Sequence, residues 1–145
     1  MDRLSRQERY EFVRDWTTVG RRWRRRLDER LKPLNMSQAR WTVLYFLGQA
    51  TEVVNQSALA DLIAVEPPTL VRVLDQLEKQ GLLERQVSPD DRRVNLLRLT
   101  EAAQPVLARI ETIAEALRIE LMGDMTYEEY ETDMKVIRRF RERLG

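Results

Sequence analysis

The chain of 145 residues has no cysteine and no histidine. Without thiols there are no disulfides, thiolate nucleophiles or thiol redox sensors. Without imidazoles the commonest general base is gone, and so are the usual zinc ligands. Carboxylate-only magnesium or calcium sites survive that cut, but no D-x-D-x-D-G loop, G-x-x-x-x-G-K or G-x-G-x-x-G occurs. The expectation is a protein that is not an enzyme and carries no cofactor or metal. Glycine and proline number five each, and no linker, internal repeat or low-complexity tract divides the chain. No apolar run is long enough to span a membrane and no signal peptide is recognisable, so a cytoplasmic protein with no membrane partner is expected.

Charge is plentiful but nearly balanced. There are 25 Lys and Arg against 24 Asp and Glu, a formal net charge of +1. Residues 1–50 carry 12 basic against 6 acidic side chains, residues 51–100 carry 6 against 8, and residues 101–145 carry 7 against 10. Strongly basic domains are the usual footprint of nucleic-acid binding. Any such affinity must therefore come here from individually placed arginines. At 43% hydrophobic content the chain can bury a moderate core in a single domain, and long helices would leave apolar flanks in need of a partner.

From Arg6 to Leu31, Val13, Trp16, Val19, Trp23, Leu27 and Leu31 keep helical spacing until Pro33. This predicts a long amphipathic helix. Its run Arg21 to Arg26, with Trp23 inside it, reads as a nucleic-acid patch or as a solvated face that pairs with acidic helices; charge runs usually do the latter. Ser37 caps a second helix that turns Trp41, Leu44, Tyr45 and Leu47 inward, and Val53 and Val54 form a short extra strand. A brief helix follows from Asn55 or Gln56 with Leu59, Leu62 and Ile63 apolar, leading through the two-residue turn Ala64-Val65 into the next helix.

That next helix is the centre of the chain. Leu70, Val73, Leu74 and Leu77 share one face, while Thr69, Arg72, Gln76 and Lys79 share the other, with no obvious partner for them inside the protein. Pro67 and Pro68 fit its first turn and Gly81 its C-terminal cap. Leu83, Arg85 and Val87 then alternate with Glu84 and Gln86. After S-P-D-D-R-R, Leu97, Arg98 and Leu99 return as a second strand. Helix, helix, strand, charged turn, strand is a winged helix-turn-helix. Thr100 is expected to N-cap a helix of about six turns carrying Leu107, Ile110, Ile113, Ala114, Leu117 and Leu121 to Gly123. Thr126 with Glu129 fits a capping box for a last helix with Tyr130, Met134, Ile137 and Leu144 on one side.

D-R-R-V-N-L-L-R-L-T resembles the wing signature of the MarR family of bacterial transcription regulators. E-P-P-T-L-V-R-V-L-D-Q-L-E-K-Q-G-L-L-E-R is similar to the recognition helix of its SlyA branch. The resemblance runs from about Val13 to the C-terminal helix. It departs at Ala103, where many members have glycine after the L-T, and at Ala64, where glycine is common between the two DNA-binding helices. It implies a mainly α fold with a small β-ribbon, one MarR-type domain over 1–145, a winged-helix region at 35–100 and dimerisation helices at 1–34 and 101–145.

The function expected is a homodimeric regulator of transcription, a repressor or else an activator or anti-silencer, bound to double-stranded DNA at a pseudo-palindromic operator. Arg72 and Gln76 are expected to read base edges, because a guanidinium can bind guanine bidentately and an amide can do the same for adenine. Gln56, Ser57, Pro68 and Thr69, at helix starts, are placed for phosphates. The resemblance matches Asp91-Arg92 to the family's wing pair, so Arg92 is expected in the minor groove, oriented by Asp91, with Arg93 nearer the backbone. Many members are released by small aromatic acids; Arg21, Trp41 and Tyr45 offer a guanidinium for a carboxylate and two aromatic faces, against the plainer reading of Trp41 and Tyr45 as core. The alternative function is a winged-helix protein-interaction adaptor, which the outward Arg72, Gln76, Arg92 and Arg93 disfavour.

Overall fold

The computed structural model describes residues 3–145; the first two residues of the expected N-terminal dimerisation segment lie outside that range. Among the described residues there are six α-helices and three strands: α1 (Arg6–Leu31), α2 (Gln38–Gln49), β1 (Val54–Asn55), α3 (Gln56–Ile63), α4 (Pro67–Lys79), β2 (Leu83–Val87), β3 (Asn95–Leu99), α5 (Gln104–Met122) and α6 (Tyr127–Leu144). The mainly helical winged fold with a small sheet is as the sequence predicted. The chain divides into two compact units, one ending at Ile113 and one running from Ala114 to Gly145.

In the first unit each helix starts where a side chain can satisfy its free N–H groups. Ser5 and Glu8 form a reciprocal capping box on α1, Ser37 accepts from the Arg40 N–H on α2, and Asn55 accepts from the Ala58 N–H on α3. Only Leu27 and Leu31 of α1 are buried, while Tyr10, Val13, Trp16 and Val19 stay exposed. Helix α2 is the centre of the packing: Trp41, Val43, Leu44 and Leu47 are buried and it contacts α3, α4 and β3. Strand β3 lies between β1 and β2 in an antiparallel sheet. The pairs Val54↔Leu97 and Arg85↔Leu97 set the register, with Leu83↔Leu99 at the base of the ribbon. The extra strand thus begins one residue later than expected, and Val53 is half exposed.

Two turns differ from the sequence expectation. Between α3 and α4 there are three residues, Ala64 to Glu66, and Ala64 adopts a left-handed backbone at φ 52°. An alanine accepts here the conformation for which glycine is common, at a cost of order 1 kcal/mol. Thr100 does not cap with its side chain. Its hydroxyl donates to the Gly81 carbonyl at 2.5 Å and ties the end of β3 to the end of α4, and a 3-10 turn, Glu101–Ala103, precedes α5. Ala103, at the other departure from the family pattern, is fully buried in that turn.

The second unit contains the rest of α5, a turn and α6. At Gly123 a Cβ would lie 2.6 Å from the Ile119 carbonyl oxygen, so only glycine fits without a shift. The predicted capping box at α6 is present, with Thr126 accepting from the Glu129 N–H and Glu129 accepting from the Thr126 N–H at 2.8 Å. No residue of α6 is buried.

Candidate nucleic-acid interface

Helix α4 presents the central surface. Its four core residues Leu70, Val73, Leu74 and Leu77 are buried, which fixes the rotation of the helix and turns Arg72, Gln76 and Lys79 out to solvent, with Thr69 half exposed. Pro67 and Pro68 occupy the first two helical positions, as expected, and Glu66 precedes them without a side-chain cap. The helix ends in a Schellman arrangement: Gly81 at φ 73° donates to Glu78, and Leu82 donates to Leu77. Among the described residues, the one hydrogen bond of the Arg72 side chain is to Thr69 at 3.5 Å, so its guanidinium is otherwise uncommitted.

Helix α3, which begins at Gln56, packs on α4. Ser57 is exposed there, and Gln56 is half-buried with its side-chain oxygen enclosed and without a donor.

At the wing tip, Ser88 donates to the Val94 carbonyl and Val94 to that of Asp91, closing the turn. The sequence reading paired Asp91 with Arg92; the structure corrects it. Asp91 accepts from the Arg93 backbone N–H at 3.0 Å and from the Arg93 guanidinium at 3.2 and 3.3 Å. The reason is local geometry. The Asx-type turn held by the backbone bond carries the Arg93 side chain back over the same carboxylate, and it leaves Arg92 exposed with no partner among the described residues. These hydrogen bonds hold the Asp91 carboxyl below its ordinary pKa, the Arg93 side chain contributing most. The Arg93 side chain remains 90% exposed, so in water the pair is weak.

Sequence reasoning gave no role to Arg85. Its guanidinium reaches from β2 to two carboxylates on α4, donating through Nε to Glu78 Oε2 at 2.6 Å and through Nη2 to Asp75 Oδ1. The Arg85 side chain is largely covered, at 23% exposure. Desolvation alone would lower its pKa, and the bonds to Glu78 and Asp75 outweigh it and raise the pKa. A usable signal was in the sequence: an arginine on the apolar register of a strand, following a helix with two carboxylates one turn apart.

The three candidate effector residues have different surroundings. Trp41 is buried, with its indole N–H donating to Asp28 at 2.9 Å; it is core. Arg21 is exposed on α1 and donates to Thr18. Tyr45 lines a cavity of about 230 Å³ with Gly48, Gln49, Gln104, Leu107, Ile110 and Glu111, to which neither Arg21 nor Trp41 contributes. Helical spacing put Trp41 and Tyr45 near one another but could not show which neighbour each would meet. In the arginine run, Arg21, Arg22, Arg24, Arg25 and Arg26 are exposed, and Arg26 lies 3.8 Å from Glu29.

A two-helix turn with an outward polar stripe on its second helix, followed by a ribbon with arginines at the tip, defines a winged helix-turn-helix protein. The MarR family model matches residues 36–94. The chain is 38% identical to a crystallised transcriptional regulator, PA3341, over 92% of this chain and 97% of that one, with a TM-score of 0.84. It is 26% identical to the apo form of wild-type MarR from E. coli, over 88% and 95% of the two chains, at a TM-score of 0.71. A MarR-family regulator from Silicibacter pomeroyi shares the fold at 23% identity and a TM-score of 0.80, over 90% and 87%. The chain belongs to the MarR family of transcriptional regulators.

Proposed function

We propose that the chain is a sequence-specific DNA-binding regulator of the SlyA-like branch that acts as a homodimer on a pseudo-palindromic operator. The observation that carries this reading is the stripe Thr69, Arg72, Gln76 and Lys79 on α4, held outward by a fully buried opposite face. Arg72 and Gln76 read base edges in the major groove. Gln56, Ser57, Pro68 and Thr69 hold phosphates at the starts of α3 and α4. Arg92 enters the minor groove, and Arg93, tethered by Asp91, lies nearer the backbone. The second copy is supported by the apolar residues that one chain leaves in solvent: Tyr10, Val13, Trp16 and Val19 on α1, and Tyr130, Ile137 and Leu144 on α6. With α1, α5 and α6 of two copies interleaved, the half-sites lie about one helical turn, roughly 10 bp, apart.

Selection of duplexes from a randomised pool tests the reading. The expected result is enrichment of a two-fold symmetric sequence, retarded against an excess of nonspecific competitor by a species of dimer mass. Equal binding of every sequence, or none, would leave a protein-interaction adaptor as the better account. The finer part of the proposal is release by a small aromatic acid. Linkage requires that the operator weaken such a ligand by the factor by which the ligand weakens the operator. Salicylate titrated calorimetrically into free and operator-bound protein should therefore bind the free form more tightly; equal heats and affinities would remove the switch.

A further inference from the structure

Two carboxylates lie on α4 among the side chains proposed to meet DNA. Asp75 is three residues from Arg72 and four from Lys79, and Glu78 is adjacent to Lys79. On a helix, side chains three and four apart are neighbours and opposite charges at those spacings attract. An uncommitted Asp75 is therefore within reach of both Arg72 and Lys79. A cation captured in this way is neutralised and turned aside from a phosphate or a base. In the structure neither capture occurs, because Arg85 of β2 takes both carboxylates: Nε donates to Glu78 and Nη2 to Asp75. Arg72 is left with the single long bond to Thr69, and no ion pair to Lys79 is present among the described residues.

We infer that Arg85 is a positioning residue for DNA reading, which keeps Arg72 and Lys79 available by sequestering Asp75, with Glu78 as the second anchor of its fork. The inference rests on the proposed role of the α4 stripe in reading DNA. It gives the first strand of the wing a part in recognition that does not require it to touch the duplex. Geometry makes Arg85 suited to the task. Its fork spans two carboxylates one helical turn apart, and its stem is largely covered between β2 and α4, so the guanidinium is held on them rather than shared with solvent. A lysine has a single ammonium centre and does not offer the same fork.

The test measures the affinity of three variants for the duplex that the wild-type chain enriches from a random pool, and for a scrambled duplex of equal composition. Arg85→Met should lose tenfold or more on the enriched duplex, because the freed Asp75 then competes for Arg72 and Lys79. Adding Asp75→Asn and Glu78→Gln to Arg85→Met should restore affinity to within threefold of wild type, since no carboxylate remains to capture them. A purely structural role predicts the opposite, namely that the triple variant binds no better than Arg85→Met, and this result overturns the proposal. If Arg85→Met proves unfolded by circular dichroism, Asp75→Asn/Glu78→Gln with Arg85 retained decides: affinity within threefold of wild type supports sequestration, and a tenfold loss overturns it. Failure of the wild-type chain to enrich any duplex overturns the DNA-reading role and this inference with it. Enrichment by the wild type with an unchanged, folded Arg85→Met overturns the Arg85 assignment alone.

Discussion

Helix α4 buries Leu70, Val73, Leu74 and Leu77 and exposes a polar stripe. Helix α6 repeats the same amphipathic plan with Tyr130, Met134, Ile137 and Leu144, yet none of them is buried. Both helices have sound ends, α4 with a Schellman stop and α6 with a capping box. Local stability therefore does not distinguish them. What differs is where the apolar face is satisfied. In α4 it is satisfied inside the chain, so the polar face is turned to solvent; in α6 the apolar face is not buried. The proposed homodimer would use both solutions, a reader of fixed orientation and a surface that positions two readers.

Several changes would break or sharpen this contrast. The largest effect is expected in α4. Leu74→Ala removes a fully buried side chain and should cost about 2–5 kcal/mol of unfolding free energy, read as a lower urea midpoint. The equivalent change in α6 should leave the unfolding of a single chain nearly untouched and act on assembly instead. Ile137→Asp, at a position 39% exposed, should weaken self-association a hundredfold, or about 2.7 kcal/mol. Sedimentation equilibrium reads it, and an unchanged dimer would place the second copy elsewhere.

On the outer face of α4, Arg72→Ala should lose about 1–3 kcal/mol on the enriched duplex and much less on scrambled DNA. Equal losses on both would make Arg72 a phosphate contact. At the end of the same helix, Gly81→Ala meets no neighbouring atom but is forced to φ 73°. About 1 kcal/mol should be lost to the left-handed backbone alone, with DNA discrimination unchanged.

The smallest effect is expected at the start of α6. The Thr126 N–H and hydroxyl bonds hold the Glu129 carboxyl below its ordinary value of 4.5. A depressed carboxyl pKa contributes stability that is complete above 4.5 and is lost as pH falls through the lower, folded value. Helix signal should decline in that acid window, and Glu129→Gln should flatten the part of the titration due to this cap.

Much of the scaffold was legible because it depends on residues within one helical turn. The bounds of α1, the caps at Ser37 and Asn55, the box at Thr126 and Glu129, and the buried quartet of α4 all follow from spacings of three or four, which sequence displays directly. The polar stripe on α4 was legible for the same reason, since the residues opposite a buried face must point outward. Ala64 marks a boundary of that logic. The sequence placed a turn at Ala64-Val65, and the structure adds Glu66 to it and gives Ala64 a left-handed backbone at φ 52°.

Tertiary structure alone decided the partners. Arg85 meets Asp75 and Glu78 because β2 folds back along α4, and Thr100 gives its hydroxyl to Gly81 rather than to its own helix because β3 ends beside that carbonyl. Arg93, not Arg92, takes Asp91 because the turn first commits the carboxylate to the Arg93 backbone N–H. Trp41 goes to Asp28, and Tyr45 to a cavity with α5 residues, although the two aromatics lie one turn apart on one helix. Periodicity fixes the face of an element on which a side chain lies, because that is a property of one backbone. A hydrogen bond or ion pair also needs the distance and angle to a second element, and those are set only when the elements pack.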